Sequence, residues 1–155
     1  MSALVRPIMS AHPTWREILI NGALAAHHGA DLLFGTAGVR ALEAAAYRSL
    51  APFTLMARAG EAAADWLQTR APHGHLLFVA GPGNNGGDAL VAATVLHLAG
   101  RAVTVWLAAD PAKLPDDAHR AWTEARAANV PIELLHTPAS VPATTTAIVD
   151  GLFGI

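Results

Sequence analysis

The stretch His75–Gly100, HLLFVAGPGNNGGDALVAATVLHLAG, constrains the fold of this chain more than any other part of it. His75–Ala80 is a short apolar run closed by glycine and proline, the pattern of a buried strand. Gly81–Gly87 then places four glycines in seven residues. Gly87–Ala99 reads as a helix stopped by Gly100. A strand, a glycine-rich turn and a helix in that order open a βαβ unit.

The rest of the chain continues the alternation. Ala102–Ala108 is rich in β-branched residues and predicts a second strand. Asp116–Ala128, just behind Pro115, predicts a helix, and Ile132–Leu135 a short third strand. Pro138–Pro142 reads as loop, and Thr145–Val149 as a fourth strand ending at Asp150. Strands joined by helices of this length require right-handed crossovers and a parallel sheet. The expected fold is therefore α/β, a three-layer αβα Rossmann-like sandwich with a mostly parallel sheet and central strand order 3-2-1-4. Such sheets usually run on past a fourth strand, so residues 36–155 read as a domain incomplete at its C-terminus.

Two helices are expected ahead of this core. Val39, Leu42, Ala45, Ala46 and Leu50 recur at helical spacing from Gly38 onward. Pro52 breaks that run, and Thr54 is an N-cap candidate for a second helix with an apolar face of Leu55, Ala59, Ala62, Ala63, Trp66 and Leu67. Residues 1–35 read as an N-terminal extension without recognisable chemistry, although Trp15–His28 is compatible with a helix ended by Gly29.

Composition narrows the function classes. The 155 residues hold no cysteine, which excludes disulfides, thiolate metal sites and a cysteine nucleophile, and fits a reducing cytoplasm. Apolar residues make up 53% and charged ones 14%, ample for a single packed domain. The net charge of −2 points to neither nucleic acid nor an anionic membrane as partner. No apolar run is long enough to cross a bilayer, and the first ten residues lack a signal-peptide pattern.

Candidate chemistry gathers at two places. Asn84, Asn85, Gly86, Gly87 and Asp88 lie where α/β folds bind ligands, with bare amides and a helix N-terminus that favours anions. A purely structural alternative is a tight turn whose glycines supply positive φ. Gly81-x-Gly83-x-x-Gly86 also fits a dinucleotide fingerprint, with Asp110 after the second strand to hold a ribose. Against it, Asp88 would put a carboxylate in the first helical turn, near the pyrophosphate. A Walker A loop is excluded, because Gly87 and Asp88 stand where Lys and Ser/Thr belong. The second place is Asp150: strand order 3-2-1-4 makes strands one and four neighbours, so Asp150 should face the Asn84–Asp88 loop. Converging amide and carboxylate oxygens there can hold a hard cation or ribose hydroxyls. His73, His75, Trp106 and Trp122 read as surface or packing residues, and no Gly-x-Ser-x-Gly elbow is present.

These motifs carry a resemblance. Gly81–Leu90 (GPGNNGGDAL), Ile148–Gly154 (IVDGLFG) and the leading helices with Leu55–Gly60 (LMARAG) resemble the NAD(P)H-hydrate epimerases, the YjeF N-terminal domain family. That resemblance implies a Rossmann-like, commonly dimeric domain that interconverts the R and S forms of hydrated NADH and NADPH (NADHX and NADPHX) at C6. A dehydratase domain or protein then restores the nucleotide. It further implies substrate contacts from Asn84, Asn85, Gly86, Gly87, Asp88 and Gly154, and one potassium ion on Asn85 and Asp150. Asp88 is the candidate general acid/base. Two departures stand out: Ala57 replaces a usual acidic residue, and the family's later Asp-x-Pro-Ser-Gly segment lies beyond Ile155.

Overall fold

A computed structural model describes residues 35–135 and 140–154. The helix expected over Trp15–His28 and the first two residues of the 138–142 loop lie outside those residues. The elements are α1 (Thr36–Ala46), α2 (Thr54–Arg70), β1 (His75–Ala80), α3 (Asn84–Leu98), β2 (Val103–Leu107), α4 (Asp116–Ala127), β3 (Ile132–Leu134) and β4 (Thr145–Gly151), with a 3-10 turn at Pro111–Lys113 after β2. The four strands are parallel in the order β3-β2-β1-β4, as the alternation of strand and helix required.

Strand β1 is central. Leu76, Leu77 and Phe78 are all buried, so both faces of this strand are covered, the signature of a parallel sheet inside a sandwich. Leu76, Phe78 and Ala80 join Val103, Val105 and Leu107 of β2 on one face, where they pack with α3. Helix α3 is buried along much of its length and lies against the sheet, with α2 and α4 beside it. On the other face His75 links three strands, its ring nitrogens bonded to the hydroxyls of Thr145 (3.2 Å) and Thr104 (2.9 Å). Trp106 is buried there and donates to Glu133, the packing role the sequence indicated. His75, expected at the surface, is instead half-buried and serves the framework because its ring spans the two neighbouring threonines.

The helical layer departs from the pattern in two ways. Thr54 is not an N-cap: Phe53 takes that position in the left-handed region (φ 71°), and Thr54 is the first helical residue. Phe53 is itself buried, which offsets the strain of that conformation, and the Arg120 guanidinium lies over its ring. The buried face of α2 is also rotated from the expected one. Met56, Gly60, Ala64 and Leu67 point inward, whereas Trp66 is 61% exposed. The reason is close helix packing, since a Cβ at Gly60 would lie 2.4 Å from the Val91 Cβ of α3. The smallest residues, not the largest, define the seam. For α1 the expected face holds, with Ala46 buried and Val39, Leu42 and Ala45 half-buried.

Gly60→Ala should therefore destabilise the domain by about 1–3 kcal/mol in urea unfolding, the usual cost of overpacking. Ala62→Ser, on the exposed side of α2, should leave the midpoint unchanged.

Candidate functional site

The glycine-rich segment is helical sooner than its composition indicates. Helix α3 begins at Asn84 behind an extended Gly83, so Asn84, Asn85, Gly86 and Gly87 form its first turn. Asp88 therefore sits in the second turn, not the first. Gly81, Gly83, Gly86 and Gly87 all have ordinary φ, which overturns the positive-φ reading of the turn. What this segment requires is close approach. A Cβ on Gly86 would fall 2.1 Å from the Gly81 carbonyl oxygen, and one on Gly81 would fall 1.9 Å from that of Leu152.

The second half of the site arrives from β4. That strand continues through Asp150 to Gly151, beyond the expected end, with Asp150 beside Val79 in register. The Gly81 N–H donates to the Gly151 carbonyl at 3.0 Å, which joins the two chains where the strands end. Asp150 Oδ1 accepts the Leu152 N–H at 2.9 Å, closing an Asx turn. Asn85 Nδ2 donates to the Phe153 carbonyl at 2.8 Å across 68 residues of sequence. Gly154 lies against Asn85, with its would-be Cβ 3.5 Å from the Asn85 Cβ. Asn85 and Asp150 thus meet around one turn, as the strand order predicted, and Gly154, expected there from the resemblance alone, lies beside them.

Asp88 faces a different neighbourhood. Burial first, and then the Glu43 carboxylate of α1, push its carboxyl up to about 6. Tyr47 is affected in the same way: partial burial and the carboxylates of Asp117, Glu43 and Asp88 raise its phenol. Glu43 lies on α1, Tyr47 caps its C-terminus and Asp117 lies on α4, and no spacing in the sequence marks any of them as sharing a field with Asp88. A half-buried acid that titrates near neutrality can both hold and release a proton.

Asp110 does not reach toward this site. One of its oxygens accepts the Ala112 amide at 3.1 Å, and the other lies 3.4 Å from Lys113 Nζ. Both serve its own 3-10 turn. For a cation, the donors available are Asn85 Oδ1 and Asp150 Oδ2. The amide must turn its nitrogen to Phe153, which directs Oδ1 elsewhere, and Oδ2 receives no hydrogen bond from the described residues. One neutral and one anionic oxygen fit a hard cation of low charge better than a transition metal.

Fold and site together define a Rossmann-like α/β domain whose candidate ligand-binding residues gather where β1 and β4 end. The family model described as YjeF-related protein N-terminus matches residues 52–155. The chain belongs to that family. It is 52% identical over 119 residues to the NAD(P)H-hydrate epimerase of Bordetella pertussis, covering 76% of this chain and 49% of that protein. It is 43% identical over 118 residues to the bifunctional NAD(P)H-hydrate repair enzyme Nnr of Vibrio cholerae, covering 73% of this chain and 23% of that protein. The crystal structure of yeast ynu0, YNL200c, superposes with a TM-score of 0.61 at 27% identity, over 68% of this chain and 49% of that one. The chain spans about half the length of the curated epimerases it matches.

The raised Asp88 makes stability depend on pH with a definite sign. Its contribution is present in full below the unfolded pKa of about 4 and is lost as pH rises through about 6. Asp88→Asn should raise Tm by a few degrees near pH 8 and leave it unchanged near pH 4. Equal shifts at both pH values would contradict the burial of that carboxyl.

Proposed function

We propose that this chain carries the substrate site of an NAD(P)H-hydrate epimerase and interconverts the R and S forms of NADHX and NADPHX at C6 of the nicotinamide ring. The observation that carries this reading is the junction between the Asn84–Asp88 helix start and the Asp150–Gly154 turn, made by the Asn85–Phe153 hydrogen bond. Family membership and relatives named as epimerases support it.

Each residue then has a task. The amides at the start of α3, from Asn84 to Gly86, receive an anionic part of the nucleotide at the positive end of the helix, while the Gly87 N–H is held by the Gly83 carbonyl at 3.2 Å. Gly154, which lies against Asn85, adds a contact from the turn after β4. Epimerisation at a carbinolamine carbon breaks a bond to that carbon and remakes it on the opposite face. If the hydroxyl leaves, it needs a proton, and the water that returns must give one up. Asp88, with its carboxyl near 6, performs both transfers in turn. Asn85 and Asp150 hold one potassium ion, which supplies fixed positive charge near the nucleotide.

The S product is passed to a dehydratase, carried on the same or another chain; a relative named as a bifunctional NAD(P)H-hydrate repair enzyme supports the first arrangement. On this reading the activity is placed in the cytoplasm, in keeping with a chain that has no cysteine; no described helix is long and apolar enough to cross a membrane. The family resemblance adds a homodimer to this proposal.

A coupled assay tests the reading. R-NADHX is supplied with a dehydratase specific for the S form, and NADH recovery is followed in potassium and in sodium buffer. Recovery should be faster in potassium. Asp88→Asn should slow it roughly 10²–10⁴-fold, and Asp110→Ala should leave it unchanged. Loss of activity in Asp110→Ala with Asp88→Asn intact would instead favour a dinucleotide-binding redox domain. A folded chain without activity would leave a non-catalytic binding module.

A further inference from the structure

The turn that follows β4 touches both candidate cation ligands with its main chain alone. The Phe153 carbonyl takes the Asn85 amide nitrogen at 2.8 Å, and the Leu152 N–H occupies Asp150 Oδ1 at 2.9 Å. A carbonyl only accepts, so the Asn85 amide has one permitted orientation, with Oδ1 directed away from the turn. The Leu152 N–H likewise reserves one carboxylate oxygen of Asp150 and leaves the other. The turn is seated in its own right: the Gly81 N–H bonds the Gly151 carbonyl at 3.0 Å, and the Leu152 carbonyl fills the space where a Gly81 side chain would stand. The Phe153 side chain, 83% exposed, contributes little to this seating.

We propose that the Gly151–Gly154 turn, seated on Gly81, is a positioning device that orients Asn85 and Asp150 toward a monovalent cation. This rests on the cation reading above and goes further, assigning a role to Gly81 and to the main chain of Leu152 and Phe153. Ligand orientation by second partners is worth about 10–100-fold in metal affinity. The coupling also runs in reverse, so a bound cation holds the turn in place and raises the stability of the domain.

The test is a titration of the full chain with potassium chloride against choline chloride at constant ionic strength, read as Tm. The wild-type chain should gain stability in potassium specifically. Asn85→Asp keeps an oxygen ligand and adds negative charge, yet cannot donate to Phe153. If charge alone governed binding, its potassium midpoint would fall. Misorientation should instead raise it about tenfold or more. Gly81→Ala removes no ligand and should give the same rise, while Asp110→Ala keeps the wild-type midpoint. A wild-type-like or lower midpoint in Asn85→Asp overturns the positioning role while the cation site stands. No difference between potassium and choline in the wild-type chain overturns the cation reading itself, and this inference with it. Should Gly81→Ala fail to fold, Asn85→Asp with unaltered near-ultraviolet circular dichroism decides the matter alone.

Discussion

Main-chain contact without intervening side chains, at Gly81, is the constraint on which the carboxyl end of this sheet depends. Gly81 lies between the Leu152 carbonyl on one side and Gly86 of α3 on the other, and no Cβ fits at either glycine. Because Gly86 presses onto the end of β1, α3 starts immediately and carries Asn85 to the turn after β4. Because Leu152 presses onto Gly81, that turn closes over the same point. A side chain here would separate strand, helix and turn together, since protein interiors yield little to added volume.

The helical layer extends the same economy. Gly60 lets α2 approach α3 at Val91, and Gly87 leaves room for the Met56 side chain. That tight layer has an electrostatic consequence. It half-buries Asp88 within reach of the Glu43 field, in a setting where a carboxylate loses hydration without gaining a cation. A carboxyl held near neutrality costs stability at physiological pH, a pattern found at sites selected for proton transfer more than for packing.

Much of this was legible from residue order, for definite reasons. The boundaries of β1 follow from an apolar run closed by Gly81-Pro82-Gly83, and α4 from the proline ahead of it. Strand order 3-2-1-4 is the usual one for a sheet wound in both directions from its first strand, and from it follows the meeting of Asp150 with the Asn84–Asp88 segment. Two local readings failed because tertiary packing outweighed propensity. Asn and Gly are poor interior helix formers, yet Asn84–Gly87 is helical because these positions must fit against β1. On α2 the bulky residues invited an apolar face through Trp66, whereas the buried face runs through Met56, Gly60, Ala64 and Leu67, with Gly60 where α3 approaches most closely.

By itself the sequence determined the parallel α/β architecture, the family, and which motifs share one end of the sheet. The architecture rests on periodicity, glycine and proline placement and chirality, and the family on the resemblance of Gly81–Leu90 and Ile148–Gly154 to its motifs, all properties of consecutive residues. Only the tertiary structure decided that the glycines serve close approach rather than positive φ, and that Asp110 is spent on its own turn. It alone brought Glu43 within reach of Asp88, set Tyr47 in the field of Asp117, Glu43 and Asp88, and brought the main chain of Leu152 and Phe153 to the candidate ligands. Distances and electric fields between residues far apart in the chain depend on how helices seat against a sheet. No local pattern encodes that seating.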